Sequence, residues 1–157
     1  MFLTKLTKAL DKYKIHYAIV GGYAVALHGV ARGTIDIDIV ISITKESFIK
    51  TSEALAAIGL KSKLPVTADM VFQFRKEYVE NRNLIAWSFE NFKNPSEVVD
   101  VILTHDLQKM KTKTVQVAGE KVRIVDITDL IAMKKQSGRP QDLEDIKALK
   151  IIQGKTK

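Results

Sequence analysis

Cysteine is absent from this chain of 157 residues. Disulfides and thiolate metal sites are therefore excluded, and a reducing, cytoplasmic setting is the default. No apolar run approaches the roughly 18 residues that a membrane-spanning helix needs. The opening MFLTKLTKALDKYK is too charged throughout to hold the apolar centre of a secretory signal. None of the three histidines is paired with another at metal-ligand spacing, which disfavours a zinc hydrolase. Internal repeats, low-complexity tracts and linkers are missing as well. The composition that remains is that of a globular domain, 46% hydrophobic and 27% charged. One domain over 1–157 is expected, with a core over about 1–125 and a helical pair over about 126–153. The net charge of +7 favours contact with a polyanion or a phosphorylated ligand and names neither.

Local patterns give an α/β reading, a mixed sheet flanked by helices with a helical C-terminal end. Apolar residues from Phe2 to Tyr13 recur at helical spacing, and YAIV (17–20) reads as a buried strand. Gly21–Gly22 then leads into YAVALHGV, long enough for about two helical turns. TIDIDIVISI (34–43) alternates and is β-branched, so it reads as a strand. Thr44 suits the N-cap of a helix that ends at Gly59. Residues 61–83 allow a helix, or a helix plus a strand. Strands over 84–92 and 96–104 flank the turn KNP, and TVQVAGEKVRIV (114–125) reads as a hairpin turning at Ala118–Lys121. Asp126 and Thr128 both suit the N-cap of the next helix, and Pro140 suits the start of the last.

Asp36 and Asp38 stand within the apolar run TIDIDIVISI. At period two on a strand, both carboxylates leave one face, while Ile35, Ile37 and Ile39 face the core. Two anions so close resist double ionisation unless a cation lies between them. Hard oxygen donors without cysteine favour Mg²⁺ or Mn²⁺. Asp100, alone in EVVDVIL, is a third acid that can face the same cleft. The turn from strand to helix at Gly21–Gly22 lets backbone N–H groups approach phosphate oxygens, because no Cβ intervenes. Arg32 and Thr34 can add a guanidinium and a hydroxyl.

A glycine pair, a spacer of 13 residues, Asp-x-Asp and a later apolar-Asp-apolar strand together resemble the nucleotidyltransferase superfamily, with its DNA polymerase β-like fold. GGYAVALHGVARGTIDIDI and DLIAMKKQSGRPQDLEDIKAL further resemble the bacterial AbiEii-type toxin branch, although residues 60–95 match nothing in it. The resemblance implies an enzyme that moves a nucleoside monophosphate from an NTP, ATP included, to an acceptor hydroxyl. It implies that Asp36, Asp38 and Asp100 ligate two divalent metals and that Asp100 helps deprotonate the acceptor. Lys134, or its neighbour Lys135, would meet the triphosphate or an acceptor phosphate. Arg139 and Asp142 fall in the following turn, where Asp142 would bind nucleotide or orient a basic group. A tRNA end is the acceptor implied by branch and charge. A protein hydroxyl or a small molecule such as an aminoglycoside stays open, as does a non-catalytic nucleotide- or RNA-binding module. A toxin of this kind would be neutralised by an antitoxin.

Plainer readings stand beside these. The two aspartates could face solvent at a sheet edge. His28 reads as a packing histidine, and His16 and His105 as surface residues. Lys134 and Lys135 could complement a helix dipole. Arg139 and Asp142 could form a local i,i+3 pair. KMKTKT (109–114) reads as a solvated loop, or as a basic patch beside the Asp100 strand.

Overall fold

A single mixed sheet organises the chain, and the computed structural model describes residues 1–34 and 36–155. Helix α1 (Phe2–Lys12) leads into β1 (Tyr17–Val20), α2 (Gly21–Leu27) and β2 (Ile37–Ile41). Next come α3 (Lys45–Ala57), β3 (Lys61–Ser62), α4 (Ala68–Gln73), α5 (Arg75–Arg82), β4 (Ala86–Asn91) and β5 (Asn94–Ile102). A 3₁₀ turn at Leu107–Lys109 precedes β6 (Thr112–Val117), β7 (Glu120–Val125), α6 (Ile127–Ser137) and α7 (Pro140–Lys155). Among the described residues, the strands lie in the order β3-β4-β5-β2-β1-β7-β6. β2 pairs parallel with β5, and β1 pairs parallel with β7. The other neighbours are antiparallel.

Strand alternation divides the chemistry between the two faces. Ile37, Ile39, Val99, Val101, Trp87 and Phe89 are fully or almost fully buried on one face. There Phe48 of α3 stacks on Trp87 at 5.9 Å and meets Phe72 of α4 edge-on at 5.6 Å. Such aromatic pairs add about 0.5–1.5 kcal/mol beyond area burial. On the other face the register sets Asp38 beside Asp100, Asp100 beside Ser88, and Ala86 beside Ile102. Helix α2 packs on α6, and α6 on α7, to cover part of this second face.

The caps follow the sequence. Thr44 Oγ1 accepts from the Ser47 amide at 3.1 Å, and Gly59 takes φ +87° past the end of α3. Of the two N-cap candidates for α6, Asp126 fills the role, accepting from the Thr128 amide at 3.1 Å. The β6–β7 turn uses Ala118 (φ 49°) and Gly119 (φ 80°), the backbone that a two-residue hairpin requires. Residues 61–83 hold a two-residue strand and two short helices, one element more than expected.

Three expectations change. The strand expected over 34–43 is shorter: its ladder with β1 ends at the pair Val20–Asp38, because β1 turns into α2 at Gly21. Asp36 consequently sits on an exposed bend before β2, and Ile35 lies outside the described residues. The turn expected at KNP forms at Phe92–Lys93, so Pro95 belongs to β5. The stretch 109–114 is no continuous loop: it runs from the 3₁₀ turn into β6, and β2, β1 and β7 separate β6 from the Asp100 strand.

Candidate active site

The two inner carboxylates meet because two parallel strands carry them at the same level. Asp38 pairs with Asp100 across β2 and β5. Ser88 on β4 donates its hydroxyl to Asp100 Oδ1 at 2.5 Å, which fixes that carboxylate from the far side. Burial first, and then the charge of Asp100, pushes Asp38 up to about 7. Its hydrogen bond to Asp100 and the charge of Asp36 act in the same direction. Partial desolvation and Asp100 raise Asp36 as well. Like charges are gathered here and only partly offset by Lys134 and Lys63, which is the electrostatic signature of a cation or substrate site.

The glycine pair makes room for this arrangement. Gly21 has φ +66°, and a Cβ on it would run into the Asp38 carboxylate. A Cβ on Gly22 would strike the Arg32 guanidinium and come within 3.0 Å of Thr34 Oγ1. Both glycines open α2, so they are the first residues of a helix and not a loop ahead of it. An open cleft of about 870 Å³ runs past Gly22, Arg32, Thr34 and all three aspartates.

Behind the cleft lies an ionic cluster. Lys134 is 5% exposed, Asp145 2% and Asp142 0%. The Lys134 ammonium lies 3.2 Å from Asp142 and 3.0 Å from Asp145. Arg139 closes on Asp142 at 2.8 Å, and Arg32 reaches Asp145 at 3.0 Å. Although burial alone would raise Asp142, hydrogen bonds from Arg139 and Lys134 hold it down at about 2. Arg139–Asp142 is therefore the local pair that the spacing allowed, with an exposed guanidinium closing from the surface onto a fully buried carboxylate. At the end of α6, Lys134 is the buried lysine that lines the cleft, and Lys135 is exposed. Asp145 was missed by sequence reasoning. It shares an i, i+3, i+4, i+7 stripe with Asp142, Ile146 and Leu149, all buried, and that periodicity marks it.

The histidines divide differently from the expectation. His28 is part-buried, its Nε2 donating to the Val125 carbonyl at 2.8 Å, and its desolvation lowers its pKa. His16 is exposed. His105 is not a plain surface residue. It is half-buried, bonded to Thr104 at 2.8 Å and to Gln136 at 3.1 Å, and it lines a cavity that also contains Asp38 and Asp100.

Among the described residues, no three His, Asp or Glu side chains form a closed ligand cluster. The donors nevertheless suit a hard divalent ion. They are carboxylate oxygens only, two adjacent and a third on the rim of the same cleft, with mutual repulsion that such an ion would relieve. No helix is long and apolar enough to cross a membrane among the described residues.

Known proteins share this architecture. The antibiotic-resistance factor ANT(2″)-Ia superposes with a TM-score of 0.65 at 14% identity, covering 99% of this chain and 83% of that one. The lincosamide antibiotic adenylyltransferase LnuA, solved with lincomycin bound, gives 0.65 at 17% identity, covering 96% of each chain. A nucleotidyltransferase-like protein of Thermotoga maritima gives 0.61 at 17%, covering 92% of this chain and 88% of that one. At these identities the likeness is one of fold. No curated protein matches in sequence. A family model matches residues 1–154, however, and with it the chain belongs to DUF6036, the nucleotidyltransferases of unknown function.

Proposed function

We propose that this protein is a Mg²⁺- or Mn²⁺-dependent enzyme that transfers a nucleoside monophosphate from an NTP to an acceptor hydroxyl. The observation that carries this reading is the Asp38–Asp100 pair on the floor of a cleft whose glycine wall has no room for a Cβ. Asp38 and Asp100 would hold the metal from below and Asp36 from the rim. Divalent ions bound there would supply positive charge to neutralise the triphosphate and the departing pyrophosphate.

The chain's own groups do the rest. Gly22 lets the Arg32 guanidinium pack directly against the start of α2, where it and the Thr34 hydroxyl would meet phosphate oxygens. Asp145 holds Arg32 from behind, so the guanidinium is oriented before the nucleotide arrives. Preorganisation of this kind avoids reorganisation during the reaction. Asp100, steadied by Ser88, is placed to take the acceptor's proton. Lys134 spends its charge on Asp142 and Asp145, so its part is to support the cleft's back wall and not to bind phosphate directly. A toxin-like role with an antitoxin partner is supported by the sequence resemblance alone.

The test uses NTPs labelled at the α- or γ-phosphate, Mg²⁺, and either total RNA or a small-molecule extract as acceptor. Label from the α-position, never the γ-position, should enter the acceptor, and Asp38→Asn should abolish its transfer. Transfer of γ-label, or full transfer by Asp38→Asn, would contradict the reading.

A further inference from the structure

A second cavity opens on the other side of the carboxylate pair. It holds about 420 Å³ and shares Asp38, Asp100, Lys134 and Arg139 with the cleft described above. The first cleft carries Gly22, Arg32 and Thr34, whereas the second meets the glycine pair only at Gly21 and touches neither Arg32 nor Thr34. In-line displacement at phosphorus places the entering oxygen opposite the leaving one. If pyrophosphate leaves toward Arg32 and Thr34, the acceptor must enter from this second cavity.

The lining states what would fit. On the sheet, Ala86 and Ile102 continue the face that carries Asp100. On α6, Leu130, Met133 and Ser137 present one face at helical spacing. Ile85, 59% exposed, stands at the mouth. The polar groups cluster at one edge, where Gln136 Oε1 takes the His105 Nε2–H and Thr104 donates to Nδ1. Among the described residues, the lining holds no carboxylate beyond the reacting Asp38 and Asp100. Its two cations, Lys134 and Arg139, are already paired with aspartates. A polycation would thus find no counter-charge in this lining beyond the reacting pair, and a polynucleotide no cation in it that lacks a carboxylate partner. Apolar walls with a few grouped polar atoms are the pattern of a small-molecule pocket.

Building on the nucleotidyltransferase reading, we infer that the acceptor is a small, uncharged, amphiphilic alcohol. Its apolar body lies on Ile102, Met133 and Ala86, and its hydroxyl reaches Asp100. The alcohol oxygen attacks the α-phosphorus as the bond to the pyrophosphate oxygen breaks. The alcohol's proton goes to Asp100, and the products are a phosphodiester and pyrophosphate.

The experiment follows the isoleucine and methionine methyl signals of the labelled protein during titration into the millimolar range. The probes are phenyl β-D-glucoside, tobramycin and the trinucleotide r(CCA). Ile102 and Met133 should shift saturably with the glucoside and stay in place with the other two. Ala86→Phe, which fills the cavity floor, and Ser137→Trp, a surface change at its mouth, should each weaken the glucoside response at least about tenfold. No response to the glucoside, a stronger response to tobramycin or r(CCA), or indifference to both variants would each overturn the assignment. Stabilisation of the wild type by Mg²⁺ with ATP is measured in parallel. Its absence would sink the nucleotidyltransferase reading, whereas its presence with silent methyls would sink only the acceptor class.

Discussion

Asp38→Asn should make the metal-free protein more stable while removing its activity. In the folded chain Asp38 is raised from 3.8 to about 7 by burial and by its carboxylate neighbours. Below pH 3.8 the folded and unfolded states both carry the proton, and the residue is neutral to stability. Between there and about pH 7 the folded state keeps a proton that the unfolded state has lost, so stability falls as pH rises. At 1.36 kcal/mol per unit the full loss is about 4 kcal/mol above pH 7. Water entry and side-chain relaxation reduce this, and a gain of about 1–3 kcal/mol is expected for the isosteric amide at pH 8. For a chain of this length, that is a rise of roughly 2–10 °C in Tm. Melts in EDTA at pH 5 and pH 8 test it: the gain at pH 8 should exceed twice the gain at pH 5. An Asp38→Asn variant no more stable than wild type at pH 8, or one whose gain ignores pH, would refute the electrostatic account of the site.

Other expectations are more direct. Lys134→Ala removes the buried cation shared by Asp142 and Asp145 and leaves each with one arginine, and a hydrogen bond to a charged group is worth about 1.5–3 kcal/mol. Urea unfolding should show this as a large fall in midpoint. Gly21→Ala drives a methyl into the Asp38 carboxylate at a positive φ, so it should lower Tm and abolish nucleotidyl transfer together. Asp142, held at about 2, contributes stability that is complete above pH 3.8 and lost as pH falls through about 2, worth about 2 kcal/mol. The stability difference between wild type and Asp142→Asn should therefore shrink across that acid range in denaturant titrations.

What the sequence shows well is what short-range pattern controls. β1, the glycine pair and Asp38 are legible because an apolar run, a backbone without Cβ and a charge in a strand each declare themselves locally. Asp100 is legible for the same reason. The shortened β2 is not, because its end is set by where β1 leaves the ladder at Gly21, a fact about another strand. Asp145 is marked only by the spacing of its stripe, because the surrounding DLEDIKALK mixes charged and apolar residues. Its burial depends on α6 packing against α7 and on Arg32 arriving from a distant loop. His105 and Ser88 carry no local mark because their roles come from strand pairing and from α6 lying across the sheet. The KMKTKT lysines mislead for a related reason: chain proximity to β5 does not survive a connection that carries β6 to the opposite sheet edge.

On the proposed reading, Asp38 and Asp100 would hold a divalent ion that supplies charge neutralisation to a nucleoside triphosphate. Calorimetric titration with the α,β-methylene analogue of ATP, in Mg²⁺ and again in EDTA, tests it most directly. Binding should require Mg²⁺ and disappear in both Asp38→Asn and Asp100→Asn. Binding of equal strength in EDTA, or binding that survives in both variants, would contradict it.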